Sequence, residues 1–87
     1  MTDAVVVRLR EQIAEQDRAV LDAVNARLQL VADLKRHKER EGIDFVDADQ
    51  EERLLQRLEQ ANAGPLSRDG VRQLFEEILA LTKREVR

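Results

Sequence analysis

The sequence predicts an all-α domain of three helices, and three observations carry that prediction. Leu, Ala, Val, Arg, Glu and Gln dominate, while the 87 residues include only two aromatics, three Gly and one Pro. That mix favours helix over strand. Neither Gly nor Pro occurs before Gly42, so nothing breaks the first half of the chain. Gly64 and Pro65 then form a second break that divides the remainder in two.

The first helix is expected over about 4–40. Val6, Arg10, Ile13, Asp17, Val20, Val24, Arg27, Val31, Leu34 and Lys38 follow one another in alternating steps of four and three, which is the spacing of a heptad seam. Leu21 and Leu28 widen the apolar face on one flank, and Leu9 and Leu30 on the other. Gly42 ends the helix, and "GIDFVD" reads as a loop of extended character. The second helix is expected over 47–62. It starts at Asp47, which with Gln50 fits an Asp variant of the capping box, and Glu51, Leu55, Leu58 and Asn62 share one of its faces. "NAGPLS" is the next connection. Ser67 is the N-cap of a third helix over 67–86, whose buried side carries Val71, Leu74, Phe75, Ile78, Leu79, Thr82 and Val86.

Residues 1–87 are expected to form a single helical domain. Its length carries a further consequence. A helix of about 35 residues is roughly 50 Å long, whereas a compact chain of this size has a radius of gyration of about 12 Å. The first helix therefore overshoots any core that one copy can build, and its apolar face needs a cover. A second copy supplies one most simply. The expected assembly is an intertwined homodimer with the long helices antiparallel.

Composition narrows the function. Lys and Arg total 15 against 18 Asp and Glu, giving a net charge of −3, and the charges are interspersed. No basic block or aromatic platform suits nucleic acid. The absence of Cys excludes a disulfide framework and a thiolate metal site. Arg8 and Arg10 follow directly on the N-terminal valines, so there is no signal-peptide core, and no apolar run is long enough to span a bilayer. A cytoplasmic protein with no membrane or nucleic-acid partner is expected.

Four seam positions are charged: Arg10, Asp17, Arg27 and Lys38. Long basic side chains can lie along apolar surface with their charge in water, and seam charges can set register. Three cations against one anion call for more, because a buried cation needs a partner. An anionic ligand would provide it. Arg27 and Lys38 are about 16 Å apart along the helix axis and can lean towards one small ligand. Arg10 is about 26 Å from Arg27, too far within one chain. It can reach the same ligand from an antiparallel partner if the two-fold axis falls near Leu21. Glu51 and Asp47, at the start of the second helix, add a carboxylate and a backbone group. Each also has an ordinary helix-start role, through the helix dipole and the N-cap. Asp17 is expected to be a salt-bridge partner, and His37, Arg36, Arg40 and Arg53 to be solvated surface.

The stretches "LREQIAEQDRAVLDAVNARLQLVADLKRHK", "DFVDADQEERLLQRL" and "GPLSRDGVRQLFEEIL" resemble the AroQ class of chorismate mutases. The last two are most similar to the form fused to or partnered with DAHP synthase. The resemblance runs from about Leu9 to Val86. It implies three helices in an intertwined dimer and the pericyclic Claisen rearrangement of chorismate to prephenate, in phenylalanine and tyrosine biosynthesis. It implies no cofactor and no metal. By the same resemblance, Arg27 and the partner copy's Arg10 bind the two carboxylates of chorismate, Lys38 sits at the ether oxygen, Glu51 and the backbone of Asp47 receive the C4 hydroxyl, and Thr82 lies near a carboxylate. Two substrate-binding positions depart from the family pattern. Val86 stands where a Gln often donates to the ether oxygen, and Gln50 where an Arg is common. A partner DAHP synthase could reorder the C-terminal helix and compensate.

Three other functions fit the same residues. An isochorismate pyruvate-lyase or a 4-amino-4-deoxychorismate mutase would use the same two-Arg, one-Lys clamp. A non-catalytic helical dimerisation or regulatory module would keep the fold without needing the cations.

Overall fold

The computed structural model describes residues 3–87. Three helices follow in order: α1 (Ala4–Glu41), α2 (Ala48–Ala61) and α3 (Arg68–Glu85). No strand occurs among the described residues.

Each helix begins where a short polar side chain satisfies free backbone N–H groups. Asp3 accepts from the amides of Val5 and Val6, Asp47 from Gln50 and Ser67 from Gly70. Residues 47 and 67 are thus caps rather than the first helical residues, and Asn62 and Val86 are caps rather than the last. The expected capping box at Asp47 forms by half. The Asp47 carboxylate accepts from the Gln50 amide at 3.1 Å, but the Gln50 side chain turns away and accepts from Arg53 at 3.1 Å.

The end of α1 has a specific geometry. Gly42 adopts φ 68° and ψ 28°, the left-handed conformation that costs a residue with a Cβ most. The Ile43 amide donates to the Lys38 carbonyl at 2.8 Å and the Gly42 amide to Glu39 at 3.4 Å. These two bonds make a Schellman motif, which turns the chain sharply back towards Lys38.

α3 packs against both α2 and α1, and α1 and α2 do not pack on each other. The core is small. Among the described residues only Leu55, Val71 and Thr82 are buried as whole residues, at 5%, 4% and 6% exposure. The second half of α1, around Val24, Arg27, Leu28, Val31 and Lys38, is partly covered, but residues 3–23 are exposed throughout. Leu74, expected on the buried side of α3, is 47% exposed, because no element of this chain lies over it. The molecule measures 62 × 24 × 18 Å, with a radius of gyration of 17.0 Å, well above the roughly 12 Å of a compact chain this size.

A charged lattice ties α2 to α3. Arg72 donates through Nε to Glu59 at 2.8 Å and through Nη2 to Glu52 at 2.9 Å. Arg68 adds a bond to Glu59 at 3.0 Å. The Glu59 side chain is only 6% exposed, so its two arginine partners satisfy a carboxylate withdrawn from water. The Arg72 hydrogen bond holds both carboxyls below their ordinary value, with Arg68 reinforcing it at Glu59. In turn Glu52, then Glu59, push the Arg72 guanidinium above its own.

Candidate active site

Arg27 and Lys38 lie in the half of α1 that α3 and the α1–α2 loop partly cover, and both are half-buried. Each is held by a neighbouring element. Arg27 Nη1 donates to Thr82 Oγ1 of α3 at 2.8 Å. The Thr82 hydroxyl donates its own proton to the Ile78 carbonyl at 2.7 Å, the usual back-bond of a helical Thr. That leaves the Thr oxygen free to accept from the guanidinium. Thr82 is 6% exposed, so the link is protected from water.

Lys38 is steered by the loop. Its Nζ donates to the Phe45 carbonyl at 3.3 Å and lies 6.0 Å from the centre of the Phe45 ring, within cation–π range. The Lys35 ammonium is 5.7 Å from the same ring. The Schellman turn at Gly42 brings Phe45 back alongside the last two turns of α1. Lys38 also borders a hollow whose other side is the start of α2, including Asp47 and Ala48.

Glu51 follows one turn into α2. It does not bond to Lys38. Its carboxylate instead pairs with Lys83 of α3, with Nζ to Oε1 at 3.0 Å. Gln50 is exposed and engaged by Arg53, whose guanidinium also lies 4.0 Å from Asp47. Val86 is half-buried at the C-cap of α3, one turn past Thr82, and its amide makes the last helical bond to the Thr82 carbonyl at 2.8 Å.

Arg10 stands apart, in the exposed half of α1. Among the described residues it has no hydrogen-bond or ion-pair partner. Asp17, expected to be a salt-bridge partner, has none among them either; it too is exposed. The structure therefore brings Arg27 together with Thr82, and Lys38 close to Asp47, and leaves Arg10 on its own. Phe45 and Lys83 were not singled out by the sequence. Their roles depend on a loop reversal and on the α2–α3 packing, neither of which leaves a periodic signal.

The chain is a three-helix, all-helical domain with an overlong first helix, two of whose cations, Arg27 and Lys38, are each held by a neighbouring element. The sequence profile for chorismate mutase type II matches residues 9–86. The chain belongs to the chorismate mutase type II family. It is similar to the solved structure of chorismate mutase from Thermus thermophilus in form I, with a TM-score of 0.86 and 28% identity over 88% of this chain and 96% of that one. For form II of the same enzyme the TM-score is 0.83, with 29% identity over 94% and 98%. No curated protein sequence matches significantly. No described helix is long and apolar enough to cross a membrane.

Proposed function

We propose that two copies of the chain pack their long helices antiparallel and rearrange chorismate to prephenate in two sites, each built from both copies. Family membership and the structural likeness support the activity, that of a chorismate mutase, an isomerase. The observation that carries the site is the fixing of two α1 cations by neighbouring elements, Arg27 by Thr82 at 2.8 Å and Lys38 by the Phe45 carbonyl at 3.3 Å.

The chemistry suits such a site. The rearrangement breaks a C–O bond and forms a C–C bond in one step. The side chain must be folded over the ring, which is a matter of positioning. Arg27, with Arg10 from the other copy, grips the two carboxylates and imposes that fold. As the C–O bond breaks, negative charge grows on the ether oxygen. A cation already in place there favours the transition state over the substrate. Lys38 takes this role, while Glu51 and the Asp47 backbone receive the C4 hydroxyl.

The exposed half of α1 supports the shared arrangement. Val6, Ile13, Val20 and Leu21 are 40%, 59%, 61% and 58% exposed. Fully burying a side chain of this kind contributes about 1.5–3 kcal/mol, and a second long helix is the simplest cover. A crossing near Leu21 carries Arg10 to the other copy's Arg27 and Lys38. Partnership with a DAHP synthase belongs to the same proposal: adding the cognate synthase raises the rate by reordering the end of α3 around Val86.

Loss of chorismate absorbance, with the product identified, tests the function on the wild type, Lys38→Ala and Arg27→Ala. Either substitution should lower kcat/KM by about 10²–10³ while circular dichroism and sedimentation stay unchanged. Wild-type rates in both variants would overturn the site, and pyruvate release from isochorismate would replace the reaction.

A further inference from the structure

Glu51 and Lys83 meet across the α2–α3 packing. Lys83 Nζ lies 3.0 Å from Glu51 Oε1 and donates to Oε2 at 3.4 Å, so the ammonium faces both oxygens. The Lys83 and Glu51 side chains are 50% and 30% exposed. They sit at the rim of a hollow that also touches Glu52 and Glu76. Arg72 neutralises Glu52 at 2.9 Å, which leaves Lys83 as the cation paired with Glu51. An ion pair this open adds little to stability. Its consequence lies in where it puts charge.

We propose that Lys83 is a specificity-determining positioning residue, whose ammonium makes the Glu51 site accept a hydroxyl at C4 of the substrate and disfavour an ammonium there. This rests on the reading of Glu51 as the acceptor of the C4 substituent. A carboxylate offers about four lone-pair positions. Lys83 occupies those facing α3, and the rest remain for a hydroxyl donor. Alone, Glu51 would favour a 4-ammonium group, because charge-assisted hydrogen bonds are the stronger ones. With Lys83 in place, that group would come within about 6 Å of a second ammonium, at hydrogen-bond distance from the shared carboxylate. Discrimination then comes from a built-in repulsion rather than from a tighter grip on the hydroxyl.

The test compares kcat/KM for chorismate and for 4-amino-4-deoxychorismate in the full chain and in Lys83→Met, Lys83→Gln and Lys83→Arg. Where the amino compound is not turned over, its inhibition constant against chorismate takes the place of kcat/KM. The wild type should favour chorismate. The preference should fall about tenfold in Lys83→Met and Lys83→Gln and survive in Lys83→Arg. A preference unchanged in both neutral variants, or an equal loss with both substrates, overturns the role of Lys83 while leaving the function intact. A wild type inactive on chorismate overturns the function, and this inference with it.

Discussion

Arg27 and Thr82 stand 55 residues apart in the chain and are joined by a 2.8 Å hydrogen bond between α1 and α3. The guanidinium is donor and the buried hydroxyl acceptor, so α3 sets the direction in which Arg27 presents its remaining N–H groups. Thr82→Val keeps the shape and removes the acceptor. A hydrogen bond to a charged group contributes about 1.5–3 kcal/mol, so a released Arg27 should raise KM for chorismate by about tenfold, with a smaller change in kcat. Steady-state kinetics check this. A fall confined to kcat would place Thr82 in the chemical step instead.

Gly42 makes a prediction about stability. Its φ of 68° is left-handed, and a Cβ built there meets nothing within 4 Å. The cost of Gly42→Ala is then conformational alone, about 1 kcal/mol, and should appear as a lower urea midpoint with an unchanged slope. The same turn carries Phe45 back to Lys38, so with the turn kept at this cost the activity of the variant should stay near that of the wild type. A variant as stable as the wild type would mean that the turn adopts another conformation.

The Arg72 lattice makes stability depend on acid. Glu52 and Glu59 titrate below their ordinary value of 4.5 in the folded chain, chiefly because Arg72 hydrogen-bonds to each. A carboxyl with a depressed folded pKa stabilises fully above its unfolded value, and the contribution disappears as pH falls through the folded one. Stability from these groups should therefore be level near neutrality and decline as pH drops below about 4.5. Arg72→Met should lower stability at pH 7 and flatten the acid decline. Parallel pH curves for wild type and variant, by chemical denaturation, would rule the lattice out as the cause.

Much of this was legible in the sequence because helices advertise themselves. The seam from Val6 to Lys38 runs without Gly or Pro, and Asp47, Ser67 and Gly42 mark ends that the structure keeps. Arg27 and Lys38 were legible because they interrupt that seam. What holds them was not. The Arg27–Thr82 bond joins two helices, the Lys38–Phe45 contact depends on a loop reversal, and Glu51 meets Lys83 only through the α2–α3 packing. None of these has a spacing that one-dimensional periodicity can carry. The box expected of Asp47 and Gln50 formed by half because Arg53, one turn on, competes for the Gln50 side chain.

Val86 is the position where a single added donor should show most. It caps α3 with φ −99° and ψ 97°, half-buried and one turn beyond Thr82. In the proposed site, Val86→Gln would add an amide N–H donor towards the ether oxygen that Lys38 is proposed to hold. One such donor is worth about 10²–10³ where it is ideally aimed. At a helix end a rise of about tenfold in kcat is expected. Stopped-flow or steady-state assays check it, and an unchanged kcat would show that the C-cap points its side chain elsewhere.

The shared site makes the sharpest prediction. If Arg10 serves the other copy's Arg27 and Lys38, then Arg10→Ala and Arg27→Ala are each inactive alone, for both sites lose a cation. A mixed dimer differs. The site centred on the Arg10→Ala chain keeps its own Arg27 and receives an intact Arg10 from its partner, while the other site loses both. Unfolding the two variants together in equal amounts and refolding them makes about half of the dimers mixed, each with one working site of two. Activity should return to about a quarter of wild type, from two proteins that have almost none. If Arg10 instead served its own chain, every site in every mixed dimer would lack one cation, and the refolded mixture would stay as inactive as its components.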